Sequence, residues 1–173
     1  MNYPIEREWA MPSSDTFSIP PITRLLDHWL KDRPVVIDPF ARNSTRGTIT
    51  NDLSPATTAH YHLLAEEFAE KMVDQGIVAD ALLFDPPYSP RQISECYRAA
   101  GLTATMRDTQ NARLKKCVKT SLTRTLRQGG VAISFGWNSC GFGKALGFEP
   151  VYMLLVAHGS AHNDTIVVVE RKL

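Results

Sequence analysis

Four consecutive residues, Asp85, Pro86, Pro87 and Tyr88, close an apolar run, Ala79-Asp80-Ala81-Leu82-Leu83-Phe84. A carboxylate, two rings that fix φ and lack an N–H, and a flat aromatic face make a stiff corner rich in hydrogen-bond acceptors. Such a corner suits a planar group bearing an amine with two N–H bonds, like the exocyclic amine of a nucleobase. That amine is a poor nucleophile, because its lone pair is delocalised into the ring. Acceptors on both hydrogens, Asp85 and the Pro86 carbonyl, pull the nitrogen towards tetrahedral geometry and stabilise the charge it develops on attacking a carbon. Tyr88 adds a face for stacking.

An apolar run of this length ended by proline reads as a buried strand, and ligands sit at the C-terminal ends of parallel strands. Val35-Val36-Ile37-Asp38 reads as the first strand and runs into Pro39-Phe40. Thr48 to Asp52 reads as a second, short strand ending in an acid; ribose recognition and helix capping ahead of Ser54-Pro55 are its two readings. Residues 1–20 look irregular, and a helix is expected from Pro21 with Ile22, Leu25, Leu26, Trp29 and Leu30 on one face. The hydroxyls just before it, Thr16 and Ser18, are placed to bind an anion at its N-terminus.

Further on, His60 to Val73 carries Leu64, Phe68 and Met72 at helical spacing. Ser89 to Ala100 reads as a helix or an ordered lid, and 101–110 as a polar loop over substrate. Ala112 to Leu126 reads as a basic helix with Leu114, Val118, Leu122 and Leu126 towards the sheet, stopped by Gly129-Gly130. Val131 to Phe135 is strand-like, and 151–157 with 165–169 make an antiparallel hairpin.

At 173 residues, 43% hydrophobic and 21% charged, the chain fits one globular domain, 1–173. It holds no apolar run of about 18 residues, so no membrane span is expected and a cytoplasmic location is the default. Cys96, Cys117 and Cys140 form no C-x-x-C pair, and the histidine spacings match no zinc signature, so no metal is expected. The net charge of +1 is unevenly spread. Between Tyr88 and Arg127 stand nine basic and two acidic side chains, leaving that segment at +7 and the remainder at −6. A basic segment directly after the Asp85 corner is what contact with a phosphate backbone requires.

Asp85-Pro86-Pro87-Tyr88 resembles the D-P-P-Y motif of S-adenosylmethionine-dependent amino-methyltransferases that act on DNA, chiefly at N6 of adenine. Asp38-Pro39-Phe40 is similar to the D-P-F that precedes a glycine-rich turn in that family. Here Arg42 and Ser44 stand where glycines are usual, and Asn43 is a residue type able to take a left-handed turn. Asp15-Thr16-Phe17-Ser18 is similar in placement to the segment that helps hold the methionine end of the cofactor. Trp9 to Pro12, Asp85 to Tyr97 and Ser134 to Asn138 extend the likeness to small phage and prophage members.

The resemblance implies an α/β fold, a Rossmann-like seven-stranded methyltransferase sheet with a C-terminal antiparallel hairpin. It implies S-adenosylmethionine as cofactor, lined by Asp38, Pro39, Phe40, Asp52, Thr16 and Ser18, with Asp85, Pro86, Pro87 and Tyr88 catalytic. DNA is the implied partner, contacted by Arg91, Arg107, Arg113, Lys115 and Lys116 of a basic lid over 88–127. With no separate target-recognition domain, short or relaxed specificity, a homodimer, or N4 of cytosine or RNA as substrate stay open. The missing glycines keep a catalytically silent nucleic-acid-binding or partner subunit as the competing reading. Methylation of a protein or small-molecule amine would leave the basic segment without a use.

Overall fold

The computed structural model describes residues 3–105, 111–159 and 162–173, excepting the side chains of 111–115. Seven strands among them form one sheet: β1 (Ile5–Trp9), β2 (Val36–Asp38), β3 (Ile49–Thr50), β4 (Ala79–Phe84), β5 (Leu126–Gly136), β6 (Phe148–Ala157) and β7 (Thr165–Lys172). Their order is β1-β6-β7-β5-β4-β2-β3. Only β7 runs antiparallel to its neighbours, β5 and β6. The expected closing hairpin is therefore present as β6–β7, and the α/β class and seven-stranded sheet are as the sequence implies.

Four helices accompany the sheet: α1 (Pro20–Leu30), α2 (Ala65–Asp74), α3 (Pro90–Ala99) and α4 (Asn111–Thr125). Alternation along each strand divides the core in two. On one face Ala81, Leu83, Val131, Ile133 and Phe135 meet Ile22, Leu25 and Leu26 of α1. On the other, Leu82, Phe84 and Ala132 meet Phe68 and Met72 of α2 and Val118 and Leu122 of α4. No helix among the described residues is long and apolar enough to cross a membrane.

Several elements depart from the sequence reading, each for an identifiable reason. Residues 5–9 are not irregular: they add a parallel edge strand to β6, held by main-chain bonds that ask nothing of the side chains. The helix expected from His60 begins only at Ala65, because Tyr61 bridges Asn51 and His60 bonds to Thr50 instead. Nor does Gly129-Gly130 stop α4. The helix gives way to β5 at Leu126, and the glycines serve a bulge that places Leu126 opposite Ala79 and Val131 opposite Ala81. Gly129 has φ of +71°, and a Cβ on Gly130 would lie 2.7 Å from the Leu126 side chain. The link from β2 to β3 contains no helix, as its shortness requires.

Candidate active site

The C-terminal ends of β2, β3, β4 and β5 open on one edge of the sheet, where the chain leaves β2 for β3 on one side and later returns to β4 on the other. Such a crossover leaves a crevice that loops can line. Two cavities occupy it. The larger, about 600 Å³, is bounded by Ser14 to Phe17, Phe40 to Ser44, Asp52, Asp85 to Tyr88, and one side of α3. The smaller, about 410 Å³, is bounded by Phe84, Pro86, Tyr88, Lys116, Lys119, Trp137, Asn138 and Phe142. Pro86 and Tyr88 border both, so the D-P-P-Y corner is their partition.

The corner is held at both ends. Buried Phe84 anchors the strand side. On the helix side, Ser89 and Gln92 form a capping box, with Ser89 Oγ accepting from Gln92 N at 3.2 Å. Gln92 Oε1 also accepts from Tyr88 N at 2.6 Å, which fixes how the corner enters α3. The Tyr88 hydroxyl donates to Asp85 Oδ1, and the Tyr88 ring lies 5.3 Å from Trp137 at 52°. Burial pushes the Asp85 carboxyl above the usual range, while hydrogen bonds from Tyr88 and Thr16 pull it back. Burial and the adjacent carboxylate drive the Tyr88 phenol far upward, so it stays a donor.

Asp38 ends β2, fully buried. Its Oδ1 accepts from Phe40 N at 3.1 Å; its Oδ2 has no hydrogen-bond partner among the described residues. Burial, with smaller contributions from the charges of Asp85 and Asp52, pushes its carboxyl up to about 8. Because the folded-state value is raised, the folded protein keeps a proton that the unfolded chain loses above about pH 4. Stability contributed by this group is therefore fullest below pH 4 and declines towards pH 8. Chemical denaturation of the ligand-free protein across that window should show the decline, and Asp38→Asn should flatten it.

The remaining residues singled out in the sequence are divided. Phe40 lines the larger cavity, its ring edge-on to Phe84 at 5.5 Å, and the buried Pro39 accepts Asn51 Nδ2 through its carbonyl at 3.1 Å. Asp52 also lines it, with one oxygen accepting from Arg42 N at 3.0 Å and the other from Ser54 N at 2.9 Å. Thr16 lines it beside Asp85, whereas Ser18 does not and donates to the Asp15 carbonyl within its own turn at 2.7 Å. The left-handed turn falls on Arg42, φ +51°, and not on Asn43.

Of the basic residues, Arg91 is exposed and paired with Glu95 at 2.8 Å, and Lys116 borders the smaller cavity. Arg107 lies outside the described residues, as do the side chains of Arg113 and Lys115.

Sequence reasoning gave no individual role to Trp137 or Lys119. The Lys119 ammonium stands 5.0 Å from the Phe84 ring and donates to the Gly141 carbonyl at 2.6 Å. Glu170 of β7, buried, accepts from the backbone N–H groups of Phe142 and, at 2.9 Å, Gly143, fixing the far rim of the smaller cavity. The available signal for Trp137 was its place one residue past a strand that pairs with β4.

No protein-family model and no curated protein matches the sequence. Solved structures do match it in fold. TrmN from Thermus thermophilus superposes with a TM-score of 0.57 at 16% identity, covering 90% of this chain and 49% of its own. NSun6 from Pyrococcus horikoshii, solved with SFG, gives 0.56 at 16%, covering 86% and 50%. The N-methyltransferase NodS from Bradyrhizobium japonicum, in complex with S-adenosyl-l-homocysteine, gives 0.56 at 10%, covering 92% and 89%. The chain thus spans about half the length of the first two. At these identities the likeness establishes architecture: the fold is that of the Rossmann-like methyltransferases.

Proposed function

We propose that this protein transfers a methyl group from S-adenosylmethionine to the N6 amine of adenine in DNA, with short or relaxed sequence specificity. The observation that carries the reading is the D-P-P-Y corner standing as a shared wall between two cavities, one suited to the donor and one to the acceptor. The donor side fits the cofactor chemically. Asp52 stands where ribose hydroxyls would be met, Phe40 offers an apolar face, and the acids Asp15, Asp52 and Glu95 along the wall favour a ligand carrying positive charge.

When bound, S-adenosylmethionine supplies a methyl carbon whose bond to sulfur breaks, the electron pair staying on sulfur, as the amine nitrogen bonds to that carbon. The residues of the chain do the rest. Asp85 and the Pro86 carbonyl accept from the two amine hydrogens, and after transfer the nitrogen releases one proton to solvent. Tyr88 stacks on a base turned out of the helix, with Trp137 behind it. The two proline rings keep this set from relaxing when charge develops, which is where preorganised groups gain over water.

Aromatic walls and the cations of Lys116 and Lys119 favour a base with its phosphate on the smaller-cavity side. Changing Lys115 and Lys116 together to Glu should weaken DNA binding and lower the salt slope by roughly one unit per lost phosphate contact. An unchanged slope in a binding titration would move phosphate contact elsewhere. Incubation with labelled cofactor and unmethylated DNA, followed by nucleoside analysis, tests the reaction. N6-methyladenine is expected; label on cytosine N4, on RNA only, or nowhere overturns the assignment.

A further inference from the structure

Arg42 occupies a backbone conformation that disfavours it. At φ +51° the Cβ of any residue but glycine crowds the following carbonyl, a backbone conformation that side-chain-bearing residues rarely adopt. Glycine would carry none of that strain. The conformation is imposed from outside: Arg42 N donates to Asp52 Oδ2 at 3.0 Å, and the residue two before it, Phe40, donates to Asp38. What the side chain does there is therefore the question. It crosses to the opposite lip of the larger cavity, where Nη1 donates to the Ser14 carbonyl at 2.5 Å.

The charges around that cavity are lopsided. Asp15, Asp52, Asp85 and Glu95 line it, and Arg42 is the only basic side chain among the described residues that does. Its guanidinium also acts on Asp85, opposing the upward shift of that carboxyl. S-adenosylmethionine brings two cationic centres and one carboxylate. The cations find acids in plenty; the carboxylate, set among four like charges, needs a cation to make binding favourable. The guanidinium carries five N–H donors in a planar fork, of which one is engaged with Ser14 among the described residues.

We propose that Arg42 is the residue that binds the cofactor's carboxylate, clamping it from the lip of the larger cavity while tied to the Ser14 carbonyl. This rests on the cofactor assignment above and adds a residue that, by the resemblance to a glycine-rich turn, counts as a departure. The arginine replaces a glycine's open space with a charge-assisted bond, so the departure from the usual glycine-rich turn is a change of binding mode.

Calorimetry with two ligands tests it without any turnover: S-adenosylhomocysteine and its decarboxylated form, which differ only in the carboxylate. The wild type should prefer the first by about tenfold or more, the usual worth of a bond between charged groups. Arg42→Gly folds without strain and should hold or raise the melting temperature, yet the preference should shrink to within about twofold. Arg42→Lys should keep part of it, because a point charge remains without the fork.

A glycine variant that retains the full preference overturns the proposal and makes Arg42 a structural strap. So does one that loses affinity for both ligands equally, or that loses only DNA affinity. If the wild type binds neither ligand, the cofactor assignment itself fails, an outcome distinct from the others.

Discussion

Asp85→Ala should lower methyl transfer to unmethylated DNA by on the order of a hundredfold to a thousandfold, the usual cost of removing one preorganised group from a developing charge. Affinity for S-adenosylhomocysteine should stay within about threefold of wild type. The separation follows from the proposed roles: Asp85 meets the amine from the corner whose Pro86 and Tyr88 reach the smaller cavity, whereas Phe40 and Asp52 meet the cofactor in the larger one. Asp85→Asn keeps one acceptor oxygen and should fall between the two.

The pH profile carries a second signature. Burial raises the Asp85 carboxyl, and only its ionised form accepts from the amine without offering a competing proton. Activity should decline as pH falls through that raised value, and the acid limb should vanish in Asp85→Asn. Single-turnover rates measured across pH would reveal it. Full activity of Asp85→Ala would remove the carboxylate from the reaction.

Tyr88 offers two functions that substitution can separate. If its face is what holds the base, Tyr88→Ala should weaken productive binding by about tenfold to a hundredfold, from the usual worth of one base–aromatic stack. Tyr88→Phe keeps the face and should stay within a few fold near neutral pH. It removes the hydroxyl that donates to Asp85 Oδ1, a bond that holds the carboxyl down. The acid limb should therefore move to higher pH in the phenylalanine variant. Equal losses in both variants would show that the hydroxyl, not the ring, matters.

The parts legible from sequence are those whose signal lies within a few covalent neighbours. The run Ala79 to Phe84 is buried nearly throughout, so it reads as a central strand, and proline ends it where the chain must turn. Asp38-Pro39-Phe40 likewise announces a strand end, and the two apolar runs 151–157 and 165–169, joined by a polar stretch, announce the hairpin. What escaped is decided by distant partners. Ile5 to Trp9 is exposed along most of its length and charged at Glu6, Arg7 and Glu8, so nothing local marks it as a strand; β6 supplies its bonds. His60 to Leu64 has helical spacing but is drawn off by Thr50 and Asn51.

The site shows the same division. Asp85 and Asp38 are visible because their own neighbours are distinctive. Trp137 and Lys119 reach the site only through the pairing of β5 with β4 and the packing of α4 over Phe84. Arg42 was visible as a missing glycine, but the direction of its side chain, towards Ser14, is a tertiary fact.

The lining of the two cavities divides along the chain as well as in space. The larger draws on residues 14–57 and 85–99, the smaller on 84–88 and 116–146, and Pro86 and Tyr88 are what they share. In the proposed reading, donor handling and acceptor choice are thereby encoded in separate lengths of polypeptide joined at one hinge of chemistry. Such a layout lets mutation retune what receives the methyl group through the later segment, while the earlier one goes on gripping the same donor.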